Sequence, residues 1–321
     1  MMKVLITGGC GFIGANLIRY LAGRGVSIRI LDNLSEGKQQ YLNDTGFSPF
    51  PELVTGDITE KDTVDKALDR VSAVIHLAAI SRVITAAEET EAVWDINVKG
   101  TLNLLEGCRR KGITRFIFAS SNAVLGEPRL PINESITPKP ISLYGASKLA
   151  GEALCSAYYH QHGIKSIALR FANVYGPFSE HNESVTTNFI KRMLTDKTLI
   201  IYGDGSQSRD FIHVNDICQA IYRSLTKFDS GFSADKSVAG EIFQIATGSE
   251  ITINQLAGEI AGLSGKRLVV RHQPSRTGDI QHNPVDITKA RTVLGFKPEI
   301  KYRDGLRDLW QHHRRLMDIN N

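Results

Sequence analysis

Apolar and polar positions along residues 1–172 predict strands and helices in alternation. Two short apolar runs, 3–7 and 27–31, are typical of buried parallel strands. Between them a helical pattern extends to Arg24, because its apolar residues recur every three or four positions. Further strands are predicted at 53–57, 73–78, 115–119 and 166–171, and further helices at 91–110 and 148–160. This order predicts an α/β fold with a parallel sheet.

The pattern is more mixed after Asn173, where turns and short strands separate the predicted helices. Helices are expected at 186–194, 214–225, 253–263, 288–294 and 302–317, and strands at 199–205, 209–213 and 267–271. Residues 228–239 are rich in Ser, Gly, Asp and Lys, which is typical of an exposed loop. We therefore expect one domain over residues 1–172, to which the chain returns around 210–247, and a smaller domain over most of 173–321.

A glycine-rich turn joins the first predicted strand to the first helix. Gly8, Gly11 and Gly14 allow the backbone to approach a pyrophosphate, which the N-terminus of the helix would attract. The second strand ends in Asp32, 18 residues beyond Gly14, where a carboxylate can accept the hydroxyls of an adenosine ribose. Asn33 follows and no Arg is adjacent, so a 2′-phosphate would be repelled. The order of these elements predicts a Rossmann-type, doubly wound domain that binds NAD rather than NADP.

Polar residues end several other predicted strands. The carboxyl ends of the strands in an open α/β sheet face the crevice in which ligands bind. Asp57 is expected there as the partner of the adenine amino group. His76 and Asn97 could face the same crevice, but each has a simpler interpretation. His76 could be a core histidine and Asn97 a polar contact of a helix, and for His76 we favour the simpler interpretation.

Tyr144 and Lys148 lie four residues apart at the start of a predicted helix, so they share one helix face. A nearby ammonium favours the phenolate and lowers the pKa of a tyrosine, which makes it a better base near neutral pH. A Tyr-x-x-x-Lys match alone also occurs on ordinary surface helices. Its agreement with the dinucleotide motif favours a catalytic pair.

Composition narrows the class of protein. Hydrophobic residues make up 42% of the 321 positions and charged residues 22%, and the net charge is +4. With no long run of Lys or Arg, nucleic acid is not expected as a partner, and no apolar run is long enough for a membrane span. The first apolar run is expected to be a strand rather than a signal peptide. Because the four cysteines are far apart, we expect free thiols, no metal site and a cytosolic location.

Motifs along nearly the whole chain resemble those of the extended short-chain dehydrogenase/reductases, namely the NAD-dependent epimerase/dehydratase family. Within it, the UDP-glucose and UDP-N-acetylglucosamine 4-epimerases are most similar. The matching segments are 7–14, 32–35, 56–58, 76–79, 97–101, 120–121, 144–148, 173–177, 202–205, 209–213 and 276–279. Together they are highly specific for the family and less specific for the reaction.

The resemblance implies 4-epimerisation of a UDP-sugar, or of a dTDP-sugar. Ser121, rather than Ser120, matches the residue that hydrogen-bonds the sugar 4-oxygen, and Tyr144 matches the general base. Lys148 matches the residue that binds the nicotinamide ribose and lowers the pKa of the tyrosine. Tyr144 would take the proton of the C4 hydroxyl as hydride leaves C4 for NAD. The hydride would then return to the opposite face of the 4-keto sugar.

The resemblance also implies which residues contact the two ligands. Those expected to bind NAD are Gly8, Gly11, Phe12, Ile13, Gly14, Asp32, Asn33, Ser35, Gly37, Asp57, Ile58, Leu77, Ala78, Ala79, Asn97, Tyr144 and Lys148. Those expected to bind the nucleotide sugar are Ser121, Asn173, Asn188, Tyr202, Arg209, Arg276 and Asn283. Tyr202 matches the aromatic residue beside the uracil.

Asn283 matches the position that borders the C2 substituent of the sugar. A Tyr there would block an acetamido group, whereas the smaller Asn leaves room for it. The alternative is that Asn283, followed by Pro284, only begins a turn.

Other functions remain open to different degrees. Dehydratases carry Asp-Glu after the catalytic Thr, and decarboxylases keep a Glu at the second of these positions. Asn122 and Ala123 stand there, so both reactions are disfavoured for want of a proton carrier. A uronate epimerase or a ketosugar reductase stays open, although such reductases usually prefer NADPH, which Asp32 disfavours. A non-catalytic binding protein also stays open, but the presence of Ser121, Tyr144 and Lys148 favours an enzyme.

The helices predicted at 91–110 and 148–160 carry more apolar residues than one buried face needs. Relatives dimerise by pairing these two helices, so the resemblance implies a homodimer held by a four-helix bundle. The alternative is that both helix faces are covered within one chain.

Overall fold

The computed structural model describes residues 2–43, 46–47, 50–81, 89–128, 130–228, 238–275 and 281–319. The strands in these ranges are β1 (Met2–Thr7), β2 (Val26–Asp32), β3 (Glu52–Thr55), β4 (Ala73–His76), β5 (Arg115–Ser121), β6 (Lys165–Phe171), β7 (Asn173–Tyr175), β8 (Leu199–Tyr202), β9 (Ser208–Arg209), β10 (Phe211–His213), β11 (Glu241–Ile245), β12 (Ile251–Thr252) and β13 (Val270–Gln273).

The helices in the same ranges are α1 (Phe12–Leu21), α2 (Lys61–Ala67), α3 (Thr90–Trp94), α4 (Gly100–Lys111), α5 (Leu143–His162), α6 (Val185–Leu194), α7 (Val214–Lys227), α8 (Ile253–Ser264) and α9 (Tyr302–Ile319). A π-helical segment, Asp95–Lys99, joins α3 to α4, and a second one covers Ala290–Leu294. Short 3₁₀ segments lie at Gln39–Leu42 and Asn122–Leu125. None of the helices described is long and apolar enough to cross a membrane.

Seven parallel strands form the central sheet in the order β11-β6-β5-β4-β1-β2-β3. The chain builds outward from β1 to β2 and β3, and then resumes on the other side of β1 with β4. The order therefore reverses between β1 and β4, and in open α/β sheets ligands bind at the carboxyl ends of the strands at such a point. The predicted doubly wound parallel sheet is confirmed.

Helices cover both faces of this sheet. Val4 and Ile6 of β1 pack into one apolar cluster, whereas Leu5 packs into another, because successive side chains of a strand point to opposite faces. The first cluster includes residues of α1 and α7, and the second includes residues of α2, α4 and α5. Both faces of the sheet are therefore buried against helices, as the continuous apolar runs predicted.

A third apolar cluster lies in the C-terminal half of the chain. It joins α6, β8, α8 and α9 through buried residues such as Phe189, Ile201, Leu256 and Leu309. Thr252 caps α8, because its hydroxyl accepts the backbone N–H of Gln255 and the Gln255 side chain accepts that of Thr252. The division between the two domains at residue 172 remains a prediction.

The single strand predicted at 209–213 is wrong. Asp210 interrupts it, because its buried carboxylate accepts backbone N–H groups from Thr247, Gly248 and Ser249. As a result, β9 pairs with β12 and β10 pairs with β7. The strand β11, for which the sequence pattern gave no separate prediction, lies beside β6 in the central sheet. Most of the loop predicted at 228–239 lies outside the described residues.

Candidate active site

One cavity of about 960 Å³ opens at the carboxyl edge of the central sheet. It collects nearly all the residues predicted to bind a dinucleotide, together with the predicted catalytic residues. The predicted residues that line it are Gly8, Gly11, Phe12, Ile13, Gly14, Asp32, Asn33, Ser35, Gly37, Asp57, Ile58, Leu77, Ala78, Ala79, Ser121, Tyr144 and Lys148.

The N-terminus of α1 forms one end of this cavity. Gly11 precedes the helix without a side-chain cap, and the first turn contains no acidic residue, so the N–H groups and the positive end of the helix dipole remain available. Gly14 permits the tight turn, because a Cβ atom there would lie 2.3 Å from the carbonyl oxygen of Gly8. Gly8 itself has a φ of +69°. This arrangement fits a pyrophosphate.

Asp32 lies in the same wall and is nearly buried. Its two carboxylate oxygens accept the backbone N–H groups of Cys10, at 2.8 Å, and Leu34, at 2.9 Å. Burial raises the pKa of Asp32, and the two N–H groups act in the opposite direction. Each oxygen can still accept a ribose hydroxyl. Glu36, which the sequence analysis missed, also lines the cavity and adds a second carboxyl that disfavours a 2′-phosphate.

Asp57 and Asn33, both predicted to bind NAD, come together in the wall of the same cavity. The Asn33 amide donates to one Asp57 oxygen at 2.8 Å, and the Thr59 N–H donates to the other at 2.8 Å. Burial acts to raise the pKa of Asp57, but the hydrogen bonds from Thr59 and Asn33 outweigh it and the pKa lies below its usual value. Asp57 therefore stays a carboxylate that can accept an amino group.

Asn97 does not line the cavity, in contrast to the other residues that were predicted to bind NAD. Its amide is buried and bonds the backbone N–H and carbonyl of Ile80, at 2.9 and 3.0 Å, and the hydroxyl of Ser147, at 2.9 Å. The simpler interpretation of a polar helix contact therefore fits better, and Asn97 shapes the cavity through Ile80. His76 is fully buried between the hydroxyls of Thr7 and Thr101, as expected for a core histidine.

The predicted catalytic residues meet where β5 ends against α5. Ser142 caps this helix by accepting the Gly145 N–H, so α5 begins at Leu143 and Tyr144 lies in its first turn. The Ser121 hydroxyl hydrogen-bonds the Tyr144 phenol. Lys148 is one helical turn further, with its ammonium 2.9 Å from the carbonyl oxygen of Ala119.

The pKa of Tyr144 lies above its usual value, contrary to the expectation that Lys148 would lower it. Burial raises this pKa to about 12, and the hydrogen bond from Ser121 acts in the opposite direction. Lys148 is directed to the Ala119 carbonyl and is itself so buried that its pKa falls to about 8. A base at neutral pH therefore requires a further positive charge in the cavity.

The residues predicted to bind the nucleotide sugar are more scattered. Tyr202 lines a second, polar cavity of about 250 Å³ together with Gln207, Ser275 and Gln281. Four further residues predicted to bind the nucleotide sugar line neither cavity, namely Asn173, Asn188, Arg209 and Asn283. Arg276 lies outside the described residues.

Local contacts account for several of these positions. Asn173 donates its amide to the Asp210 carbonyl at 3.3 Å, and Arg209 donates to the carbonyl of Ser208 at 2.8 Å. Asn283 is buried, with its N–H 2.6 Å from Glu250, and its side-chain oxygen has no partner among the described residues.

Part of the cavity wall was not predicted from the sequence, including a polar segment before α6. His181, Asn182, Glu183 and Ser184 line the cavity immediately before α6, and Ser184 caps that helix by accepting the Thr187 N–H. A polar stretch before a helix normally indicates only a loop and a cap, so no spacing rule distinguishes it. The signal in the sequence for this part of the wall was its position between the matching segment 173–177 and the helix predicted at 186–194.

Residues 4–246 match the model of the NAD dependent epimerase/dehydratase family. The chain belongs to this family. The family resemblance, the enzymatic nature of the chain and its dependence on NAD are thereby confirmed.

Individual members of the family resemble the chain over nearly its whole length. A Methanocaldococcus jannaschii protein with the provisional name UDP-glucose 4-epimerase is 37% identical over 309 residues, which are 95% of this chain and 96% of that protein. The structure of UDP-N-acetylglucosamine 4-epimerase from Methanobrevibacter ruminantium, in complex with UDP-N-acetylmuramic acid, aligns with a TM-score of 0.90 and 32% identity. That alignment covers 98% of this chain and 99% of the other.

Members of the family that act on other substrates or catalyse other reactions are nearly as similar to the chain. The structure of UDP-glucuronic acid 4-epimerase from Bacillus cereus, in complex with UDP-glucuronic acid and NAD, aligns with a TM-score of 0.89 and 29% identity over 98% of this chain and 100% of the other. Relatives named as a dTDP-glucose 4,6-dehydratase, from Streptomyces niveus, and a UDP-N-acetyl-alpha-D-glucosaminuronate decarboxylase, from Bacillus cytotoxicus, are each 31% identical over at least 95% of this chain. Family membership alone therefore does not select the reaction.

Proposed function

We propose that this enzyme is a 4-epimerase of a UDP-hexose or a UDP-N-acetylhexosamine. The observation that supports this most strongly is the wall formed by Ser121, Tyr144 and Lys148 in the cavity that also holds the glycine-rich turn and Asp32. A hydroxyl, a phenol and an ammonium in one wall can bind an alcohol and take its proton. Asp32 and Asp57 would hold the adenosine part of NAD at the far end, and the N-terminus of α1 its pyrophosphate.

Each residue of this wall would have one task. Ser121 and Tyr144 would bind the 4-oxygen of the sugar, and Tyr144 would take and return its proton. Lys148 would donate hydrogen bonds to a ribose and keep Tyr144 in place. When bound, NAD supplies a hydride acceptor and donor for C4 and a positive charge that lowers the pKa of Tyr144. The Ser121 hydroxyl would stabilise the phenolate.

Dehydration and decarboxylation are the less favoured reactions of the family here. Both need a carboxyl group in the turn after Ser121, and this turn begins with Asn122 and Ala123. Neither side chain is an acid or a base that could exchange a proton with the substrate at neutral pH. The Ala123 N–H donates to the Ser121 oxygen at 3.2 Å, so the turn fixes Ser121 and contributes no acid.

We include N-acetylated sugars in the proposed substrate range because of Asn283. Its side-chain oxygen is buried without a partner among the described residues, so it could accept the N–H of an acetamido group. Asn is also much smaller than the Tyr that would block such a group. The turn before Pro284 remains the alternative explanation for this residue.

We also propose a homodimer in which α3, α4 and α5 of two chains pair. Trp94 is 54% exposed and Leu102 is 37% exposed, and the half-buried Val98 lies between them along the same helical segment. Val93, Leu104 and Leu105 are buried within the chain, so only the exposed apolar residues of these helices lack a covering surface within one chain. A second copy of this surface would cover the rest by two-fold symmetry.

Incubation of the purified enzyme with a panel of UDP- and dTDP-sugars tests the proposed reaction. NMR spectra of the products should contain the C4 epimer of at least one UDP-sugar, with the starting sugar at equilibrium. A product without the 6-hydroxyl, or the loss of carbon dioxide from a uronate, would assign the chain to another reaction of the family.

A further inference from the structure

The helix α5 contacts the end of β5 through residues spaced by one turn. Three side chains on one helix face each bond one of three neighbouring strand residues, and the pairs are Tyr144 with Ser121, Lys148 with Ala119 and Glu152 with Ser120. The first two pairs belong to the proposed catalytic wall. In the third pair Ser120 also lines the cavity, whereas Glu152 does not, and the proposed reaction gives neither residue a task.

Glu152 is held from two sides below the cavity. Its side chain is 3% exposed, and its oxygens accept the Nε and Nη2 groups of Arg170, both at 2.8 Å. The Ser120 hydroxyl donates to the same carboxylate at 2.5 Å. Ser120 and Arg170 are also register partners on the neighbouring strands β5 and β6. Such a buried ion pair is weak evidence for stability, but its two parallel hydrogen bonds set the relative orientation of the two side chains.

We propose that Glu152 and Arg170 are positioning residues for the catalytic wall: they anchor Ser120, so that Ser121 faces Tyr144, and they place a negative charge behind Lys148. Successive residues of a strand point to opposite sides, so anchoring Ser120 fixes the direction of Ser121. The Ala119 carbonyl, which accepts from Lys148, is fixed by the same anchor. This inference rests on the proposed roles of Ser121, Tyr144 and Lys148.

The charges around Lys148 explain why the anion matters. The titratable groups around it are His76 from β4, and Tyr144, Glu152 and Cys155 from its own helix. Arg170 from β6 pairs with Glu152. Burial lowers the pKa of Lys148 to about 8, and Cys155 and Glu152 act in the opposite direction. Burial also raises the pKa of the Cys155 thiol, which therefore stays neutral, and lowers that of His76 to about 3. The carboxylate of Glu152, which is paired with Arg170, thus favours the protonated form of Lys148.

Ser120→Ala tests the anchor, with Ser166→Ala as a matched control. Both hydroxyls are buried to 2% exposure and both bond α5, but Ser166 donates to the Cys155 carbonyl at 3.0 Å, away from the cavity. We expect Ser120→Ala to lower kcat about 3- to 10-fold, which corresponds to one hydrogen bond, and Ser166→Ala to leave kcat unchanged. Equal kcat values for the two variants would overturn the anchoring role.

Glu152→Gln tests the charge, and Glu152→Asp retains it. As pH rises, Lys148 loses its proton, so the alkaline decline of kcat should move to lower pH by about half a unit or more in Glu152→Gln and return towards the wild-type position in Glu152→Asp. A ¹³C NMR titration of labelled lysine in the protein without substrate should show the same shift for the Lys148 signal.

An unmoved Lys148 titration in folded Glu152→Gln would contradict the charge role. If Glu152→Gln fails to fold because Arg170 loses its partner, Glu152→Asp and Ser120→Ala test the proposal instead. The pKa of Lys148 must then stay at its wild-type value in both variants, and Ser120→Ala must lower kcat. A wild-type enzyme without turnover on any nucleotide sugar would refute the proposed reaction instead, while the NMR titration would still test the effect of Glu152 on Lys148.

Discussion

The Lys148 ammonium lies 5.9 Å from the centre of the Tyr144 ring, one turn along α5. The two residues share the helix face that the Tyr-x-x-x-Lys spacing predicts, and both line the cavity. Yet burial gives the phenol a pKa of about 12, so proximity to Lys148 alone does not make Tyr144 a base. The proposed mechanism therefore depends on bound NAD for the missing positive charge.

Replacement of Tyr144 by Phe should lower turnover by about 10²- to 10⁴-fold, the usual contribution of general acid–base catalysis. Binding of the UDP-sugar, measured by calorimetry, should change little because the ring remains. Tyr158→Phe is the matched control, since Tyr158 lies on the same helix but bonds Glu106 outside the cavity. Ser121→Ala should also lower turnover, and more than Ser120→Ala does. A Tyr144→Phe enzyme with nearly normal turnover would show that another group takes the proton.

NAD should bind more tightly than NADP. Asp32 and Glu36 line the cavity, so a 2′-phosphate bound beside them would be repelled, and no arginine among the described residues lines it. Calorimetry with both nucleotides gives the two dissociation constants, and Asp32→Ala should narrow the difference between them. Tighter or equal binding of NADP by the wild-type enzyme would refute this prediction.

The wild-type enzyme should be a dimer at micromolar concentration by light scattering. Trp94→Asp should weaken the dimer by about 2 kcal/mol or more, because it removes a large exposed aromatic from the centre of the proposed interface. Val269→Asp is the control, since Val269 is 52% exposed, close to the 54% of Trp94, but lies outside the proposed helices. A wild-type monomer, or equal effects of the two variants, would indicate that this surface is not an interface.

If Asn283 contacts the acetamido group as proposed, the enzyme should accept N-acetylated sugars. Asn283→Tyr should lower kcat/KM for UDP-N-acetylglucosamine relative to UDP-glucose about 5- to 150-fold, because overpacking costs about 1–3 kcal/mol. Asn283→Ser, with a smaller side chain, should keep the acetylated sugar, and thermal unfolding checks that each variant is folded. If wild type ignores the acetylated sugar, or the Tyr variant accepts it unchanged, Asn283 has no such role.

Much of the fold follows from short-range patterns in the sequence. The apolar runs predicted β1, β2, β4, β5 and β6 within a few residues, and the glycine-rich turn with Asp32 predicted the dinucleotide end of the cavity. These features depend on local spacing, which a single sequence displays directly.

Features that depend on distant partners could not be predicted in this way. Asp210 breaks a predicted strand because it bonds a loop 37 residues later. The buried pair of Glu152 and Arg170 joins a helix to a strand 18 residues away, and neither residue belongs to the recognised motifs. The pKa of Tyr144 was predicted in the wrong direction because the sequence displays the nearby charge but not the degree of burial.

Conversion of UDP-glucose and UDP-N-acetylglucosamine that carry deuterium on C4 tests the proposed reaction most directly. If hydrogen leaves C4 and returns to the opposite face within one site, NMR should detect the C4 epimer with deuterium still on C4. Deuterium on C6 would indicate dehydration. Deuterium lost to water, or no conversion of either sugar or of the wider panel, would contradict a 4-epimerase.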